Sequence, residues 1–229
     1  MHDSARLFVK LCAEIIKPQG PIYEFGSLQV PGQEGYADLR RYFHGLDYIG
    51  CDMRPGVGVD RIEDLEKGVS IGDNTASVVL CMETIEHVFE VFKAISEMKR
   101  VIKNEDGVFI ISSLFYGGIH SYPFDYWRFT PQCFLRLLAD FDISLVIAQD
   151  NPLLPTSIYG IAVKTKNKDK WKDMLSIIAE KFEIELKNNL RYDRSLSRKL
   201  KLAIYKIIWI KKYNEKTNRT KITWSLCEK

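Results

Sequence analysis

Three short stretches carry the residue types that could hold a ligand. Glu24-Phe25-Gly26-Ser27 ends a short apolar run that begins at Ile22. A glycine at that point lets backbone approach a ligand with no Cβ in the way. Asp52 closes a second apolar run, Leu46 to Cys51. An acid at a strand end can accept two hydrogen bonds from the diol of a ribose. Asp64-Leu65 follows a third run, Val57 to Ile62. There a carboxylate can accept from an adenine amino group while an apolar side chain packs on the ring. Each feature alone has a plain structural explanation: a turn glycine, a capping aspartate, a solvated turn in the acidic stretch DRIEDLE. Their order and position together point to a cleft for a nucleoside-bearing ligand.

Proton transfer needs a group that titrates near neutrality, and histidine has that intrinsic pKa. His2 is terminal and His44 lies in a polar loop, so neither is assigned a role. His87 starts the segment after a strand-like run, where it can cap the turn or act as a base. His120 lies beside Tyr122, Asp125, Tyr126 and Arg128. Such a mixture of aromatics and charge can stack a sugar or hold an anionic group, or simply plug the sheet edge. His120 is the favoured base, with Asp125 and His87 as rivals. No dense His/Asp/Glu cluster of metal-ligand type stands out, so no metal is expected. The five cysteines are scattered without a C-x-x-C pair, which argues against a disulfide framework and a zinc site. Cys51 and Cys81 read as buried reduced thiols.

The elements that must position these residues follow from periodicity. Residues 3 to 17 place Leu7, Leu11 and Ile15 at helical spacing, and Pro18-Gln19-Gly20-Pro21 stops that helix. Strands are predicted at 22–25, 46–51, 57–62, 76–81, 107–112, 143–148 and 158–163, and helices at 36–43, 85–102 and 130–138. Thr130-Pro131 supplies an N-cap and first helical position. The β-α-β-α alternation from 22 to 113 implies a doubly wound, mostly parallel sheet. The expected fold is α/β and Rossmann-like, with about seven strands, the last antiparallel, plus a C-terminal helical extension. The domain boundary is placed near residue 165, dividing 1–165 from a basic extension, 166–229.

On these residues the stretch from Ile22 to about Leu138 resembles the class I S-adenosylmethionine (SAM)-dependent methyltransferases. The likeness is strongest to a bacterial group associated with glycan and cell-surface biosynthesis. Glu24-x-Gly26 resembles the first half of the acidic-x-Gly-x-Gly signature. Gly50-Cys51-Asp52-Met53 is similar to the ribose-binding strand end, and Glu63-Asp64-Leu65 to the adenine-binding segment. Val79 to Val88 is similar to the fourth strand and its Glu-His turn. Ile119 to Pro131 resembles a substrate-side segment. The resemblance implies a cofactor site formed by Glu24, Gly26, Ser27, Asp52, Met53, Asp64, Leu65, Cys81 and Met82. It also implies acceptor contacts from Tyr122, Tyr126 and Arg128. SAM would be the cofactor and S-adenosylhomocysteine the product, with no metal. The second signature glycine is replaced by Leu28, so the loop must take another path, with Gly32 or Gly35 supplying the close approach.

The implied activity is O-methylation of a sugar or surface-glycan hydroxyl. Methylation of a small metabolite at oxygen or nitrogen, and a degenerate SAM-fold binding or scaffold protein, remain as alternatives. A nicotinamide-dependent dehydrogenase should show G-x-G-x-x-G after the first strand, and EFGSLQVPGQEG does not. Charge is divided unevenly. Residues 164–229 carry 19 Lys+Arg against 8 Asp+Glu, whereas residues 1–163 carry 14 against 22. Helices are predicted at 168–187 and 195–213. The second is basic and aromatic, and suits an anionic membrane surface, or packing on the domain or on a partner subunit with its lysines solvated. No nucleic-acid-reading motif is present. No signal peptide is recognised and no apolar run is long enough to span a bilayer. The expected compartment is the cytoplasm, and the membrane reading of the basic helix adds peripheral contact at the inner membrane face as an alternative.

Overall fold

The computed structural model describes residues 1–120, 123–151, 153–190 and 223–228. The chain starts with helix α1 (Asp3–Ile16), followed by β1 (Ile22–Phe25), β2 (Tyr48–Asp52), β3 (Arg61–Ile62) and β4 (Val78–Met82). Helix α2 (Val91–Val101), β5 (Gly107–Leu114), α3 (Pro131–Leu137), β6 (Ile143–Asn151) and β7 (Leu154–Lys164) come next. Helix α4 (Lys168–Leu190) and β8 (Thr223–Glu228) complete the described elements.

The strands form one sheet in the order β3-β2-β1-β4-β5-β7-β6-β8. Pairings among β1 to β5 are parallel, and β7 runs antiparallel between β5 and β6. The chain thus winds outward from β1 to β3, then returns to place β4 on the other side of β1. That reversal of strand order opens a crevice at the carboxyl ends of β1 and β4, the place where open α/β sheets bind ligands. The expected seven-strand, mostly parallel Rossmann-like sheet is present. The eighth strand, β8, adds an antiparallel edge on β6 within the stretch expected to be a helical extension. The predicted helix at 195–213 lies outside the described residues.

Alternating side chains send the strands into two cores, as the two-residue period of a pleated strand requires. Ile22, Val78, Leu80, Val108, Ile110 and Ile161 face α1 and α4. Tyr23, Phe25, Val79, Cys81, Phe109 and Ile111 face α2 and α3. Near-continuous apolar strands are what burial on both faces demands. Helix α1 ends as its sequence predicts: Lys17 adopts a left-handed conformation (φ 51°), and its N–H donates to the Ala13 carbonyl at 3.1 Å. At the start of α3, Thr130 Oγ1 accepts from the Cys133 amide at 3.2 Å, with Pro131 in the first turn.

Three predicted elements change. The helix expected over 36–43 is reduced to a 3-10 turn, Arg40–Tyr42. The third strand shrinks to two residues, because Gly56 to Val59 form a turn, the Val59 amide donating to the Gly56 carbonyl at 3.1 Å, and pairing with β2 starts only at the Asp60 amide. The helix expected over 85–102 is a 3-10 turn, Ile85–His87, then a break, then α2. At the break the Val88 carbonyl accepts from Trp127 Nε1 (2.9 Å) and the Phe89 amide donates to Glu66 Oε1 (2.7 Å). These long-range partners replace helical ones, so the periodic pattern is overridden.

Helix α4 belongs to the same core as α1, although the chain changes character near residue 165. Trp171, Leu175, Ile178, Phe182 and Leu186 are buried against the sheet, and Trp171 Nε1 donates to Asp106 Oδ1 at 2.8 Å. Phe8, Tyr159 and Phe182 form an aromatic triangle with ring centroids 4.8 to 5.1 Å apart, joining α1, β7 and α4. Emptying one corner leaves a cavity that rigid neighbours cannot collapse. Phe182→Ala should therefore cost the whole domain about 3–5 kcal/mol. Urea unfolding of the full chain checks this. A loss under about 1 kcal/mol would mean that α4 is not part of the core.

Candidate functional site

The crevice at the switch point is a cleft of about 520 Å³. Its walls include Glu24, Gly26 and Ser27 from the end of β1, and Asp52 and Met53 from the end of β2. Asp64, Leu65, Met82, His87 and His120 complete the set of predicted residues that line it. Glycine is required at Gly26 on two counts. Its φ is +83°, and a Cβ there would meet Thr84 Oγ1 at 2.1 Å. The Gly26 and Ser27 amides both donate to the Cys51 carbonyl (2.8 and 3.1 Å), which pins the turn to β2. Ser27 Oγ is buried in this wall with no hydrogen-bond partner. A buried hydroxyl left unpaired is costly, so it is suited to meet a polar ligand.

Leu28, which stands where a glycine is usual in the resembled signature, is accommodated from the facing loop. A Cβ on Gly56 would meet Leu28 Cδ1 at 2.3 Å, and a Cβ on Gly58 would meet the Ser27 carbonyl at 2.5 Å. The Gln29 amide donates to the Val57 carbonyl at 2.9 Å. The room that a second glycine would give is supplied by Gly56 and Gly58. Gly32 and Gly35 do not supply it: neither lines the cleft, and a Cβ on either would meet nothing within 4 Å.

The acids differ in how they are held. Asp52 Oδ1 accepts from the Arg54 amide at 3.0 Å, and burial raises its pKa against the amides of Arg54, Leu28 and Met53. Asp64 is buried enough to be pushed up, but Lys67 Nζ (2.9 Å) and the Glu66 amide (3.0 Å) outweigh that and lower it. Leu65 is buried beside it. Glu24 is pushed up to about 7 by burial, although the Tyr48 hydroxyl donates to it at 2.6 Å and stabilises its anion.

Sequence reasoning missed several wall residues. Met1, His2, Glu83 and Thr84 also line the cleft, beside Glu63 of the expected adenine segment. Glu83 has a left-handed backbone (φ 48°), and its carboxylate accepts from the His2 amide (2.9 Å) and Nδ1 (2.7 Å). The first two residues are thereby held at the cleft wall, where His2 was expected to have no role.

At the other end, the segment after β5 folds back over the Ile85–His87 turn. The Tyr126 and Trp127 amides donate to the Glu86 carbonyl (2.8 and 3.2 Å). His87 Nδ1 meets the Phe124 carbonyl, and its ring lies edge-on to that of His120 with centroids 4.8 Å apart. Burial lowers the pKa of His87 and so disfavours its charged form, against the Phe124 carbonyl. Asp125 does not fit the expectation of a base. Both terminal nitrogens of Arg128 pair with it, the His120 amide donates to it at 3.0 Å, and these hold it far below the usual carboxylate range. Asp125, Arg128 and Tyr126 do not line the cleft; Tyr126 instead joins Phe89 and Phe124 in an exposed aromatic group at its rim. Cys81 is corrected as well: the pleat turns its thiol into the α2 core, fully buried. Tyr122 lies outside the described residues.

Glu24 and Glu86, each pushed up to about 7, link stability to pH. A carboxyl whose folded pKa lies above its unfolded value favours folding while protonated. That stability is full below the unfolded pKa of about 4.3 and is lost as pH rises through 7. Glu24→Gln removes one of the two contributions. Between pH 4.5 and 7.5 the wild type should lose roughly 1–3 kcal/mol more than the variant, measured by urea unfolding at each pH. Equal losses would contradict the burial of a protonated Glu24.

A family model described as a methyltransferase domain matches residues 36–111. No curated protein matches the sequence. Among solved structures, the fold is similar to a SAM-dependent methyltransferase of Thermotoga maritima described as a possible histamine N-methyltransferase. That likeness has 13% identity and a TM-score of 0.50, covering 70% of this chain and 89% of the other. The CurJ carbon methyltransferase is similar at 12% identity and a TM-score of 0.52, covering 71% of this chain and 54% of the other. Residues 36–111 thus match a methyltransferase domain, set in a sheet with the fold of the SAM-dependent methyltransferases.

Proposed function

We propose that this chain transfers a methyl group from SAM to a hydroxyl of a sugar or surface glycan. The observation that supports it most is the order of side chains along one cleft. Gly26 and Ser27, Asp52, then Asp64-Leu65 stand at successive strand ends, and His87 with His120 stand at the far wall. In this reading Asp52 accepts from the ribose hydroxyls, Asp64 and Leu65 meet the adenine, and Gly26 admits the methionine end. When bound, SAM supplies an electrophilic methyl group on a sulfonium; the chain's task is alignment and handling of the acceptor proton. His87 and His120 are the groups placed to manage that proton, since Asp125 is committed to Arg128. The exposed rim of Phe89, Phe124 and Tyr126 is the kind of aromatic surface on which the apolar face of a sugar ring stacks.

Calorimetry with SAM and S-adenosylhomocysteine tests the cofactor half of this reading. Both should bind one per chain, and Asp52→Ala should weaken binding at least tenfold, or about 1.4 kcal/mol. No binding of either would sink the assignment, and unchanged affinity in Asp52→Ala would remove the ribose role. Tritiated SAM incubated with a panel of glycosides then reports the acceptor. Label confined to amines would contradict the hydroxyl reading.

A further inference from the structure

Glu86 takes no part in the cofactor wall, yet its carboxylate is the most anomalous polar group beside the cleft. The residue is fully buried, and neither carboxylate oxygen has a hydrogen-bond partner. The Ser113 hydroxyl and the amides of Glu86 and Leu114 stand near enough to favour its anion, but they do not outweigh its burial, and the Ser113 hydroxyl also makes a long bond to the Leu114 carbonyl at 3.4 Å. One oxygen of Glu86, one ring nitrogen of His87 and one of His120 lie within 4.8 Å of one another. A fully buried carboxylate standing beside two imidazoles, with no geometric hydrogen bond of its own, can take a further partner.

The second contacts of the two histidines point to what that partner is. His87 Nδ1 meets the Phe124 carbonyl. His120 Nδ1 lies 3.2 Å from Asp125 Oδ2 and 3.4 Å from the Gly118 carbonyl. An oxygen acceptor on Nδ1 fixes the proton there and leaves the Nε2 lone pair free. Metal-binding histidines show this arrangement, with the outer nitrogen held by a carbonyl or carboxylate. The Arg128–Asp125 pair, which the methyl-transfer reading leaves without a chemical task, then has one: it anchors the carboxylate that orients His120.

We propose that Glu86, His87 and His120 form a binding site for a divalent cation of the Mn2+ to Zn2+ class at the acceptor end of the cleft. Two imidazoles and one carboxylate leave coordination positions open, as in facial two-His-one-carboxylate sites. His87 and His120 both line the cleft, so an ion held by them would stand at its wall. Bonds of about 2.1 Å place ligand atoms roughly 3–3.5 Å apart, so loading draws the three groups closer than they stand here. His120 can supply that movement: its side chain is 42% exposed, and Gly117 and Gly118 precede it. Resting on the methyl-transfer reading, the site would take two neighbouring hydroxyls of the acceptor on one cation. A vicinal sugar diol is that kind of ligand, and a cation lowers the pKa of a hydroxyl that it binds. The imidazoles would then act as ligands rather than as proton acceptors.

Untagged full chain, stripped with chelator and dialysed, tests the site without any methyl acceptor. Mn2+ titration followed by electron paramagnetic resonance should show one bound ion per chain, displaced by Zn2+. Glu86→Gln and His120→Ala should each weaken Mn2+ binding at least tenfold. His120→Ala lies on an exposed loop and guards against a folding artefact at buried Glu86. Absence of Mn2+ and Zn2+ binding, or equal binding by wild type and both variants, would overturn the proposal. S-adenosylhomocysteine titration of the same samples separates the two readings. Its binding without cation binding removes the metal site alone, and cation binding without it removes the methyltransferase reading alone.

Discussion

The cleft exists because two strand ends approach each other with no room for a side chain between them. Gly26 faces Thr84 so closely that a Cβ would fall 2.1 Å from the Thr84 hydroxyl. This contact sits at the reversal of strand order, where β1 and β4 are neighbours although three elements of chain separate them. Parallel pairing holds the strands, and the missing side chain lets the two following turns close over one another. The Glu24 to Ser27 turn, the Met82 to His87 turn and the amides pinned on Cys51 all take their positions from it. A side chain at residue 26 would push these turns apart.

The polar groups around that contact are arranged at some cost to stability. Glu24 and Glu86 are buried carboxyls pushed up to about 7, and Ser27 Oγ has no partner. A fold selected for stability alone would place apolar groups there. Their clustering around one cleft, while both cores are apolar and well filled, fits a site preorganised for a charged or polar ligand. The loop after β1 shows the same economy of space: Leu28 takes the volume left free by Gly56 on the facing loop. The unusual signature is matched by glycine elsewhere, which leaves space for the Leu28 side chain.

Much of this was legible in the chain. Val78 to Met82 and Gly107 to Ile111 are apolar on both faces, and only a central strand of a doubly covered sheet needs that. Asp52 and Gly26 could be placed because a strand end has a fixed position in such a sheet. The break at Val88 to Glu90 was not legible, because it depends on Trp127 and Glu66, which lie far away in sequence. Strand β8 was hidden for the same reason: its partner is an edge supplied by β6, about 80 residues earlier, and its own neighbourhood is rich in lysine. Glu83 and Glu86 were passed over because a carboxylate in a turn usually faces water. A signal was present in Glu83-x-x-Glu86-His87, which sets two acids and an imidazole on one short turn, but burial is needed to give it meaning. Asp125 shows the reverse error, since its place beside His120 suggested a base and only the Arg128 pairing excludes that role.

The central claim is that one cleft serves a nucleoside-bearing cofactor. Amide hydrogen exchange on the full chain, with and without saturating S-adenosylhomocysteine, reads this directly. Slowed exchange is expected in the stretches Glu24 to Val30, Asp52 to Arg54, Glu63 to Glu66 and Met82 to Thr84, with α3 and α4 unchanged. Protection confined to other segments, or no change anywhere on saturation, would contradict it.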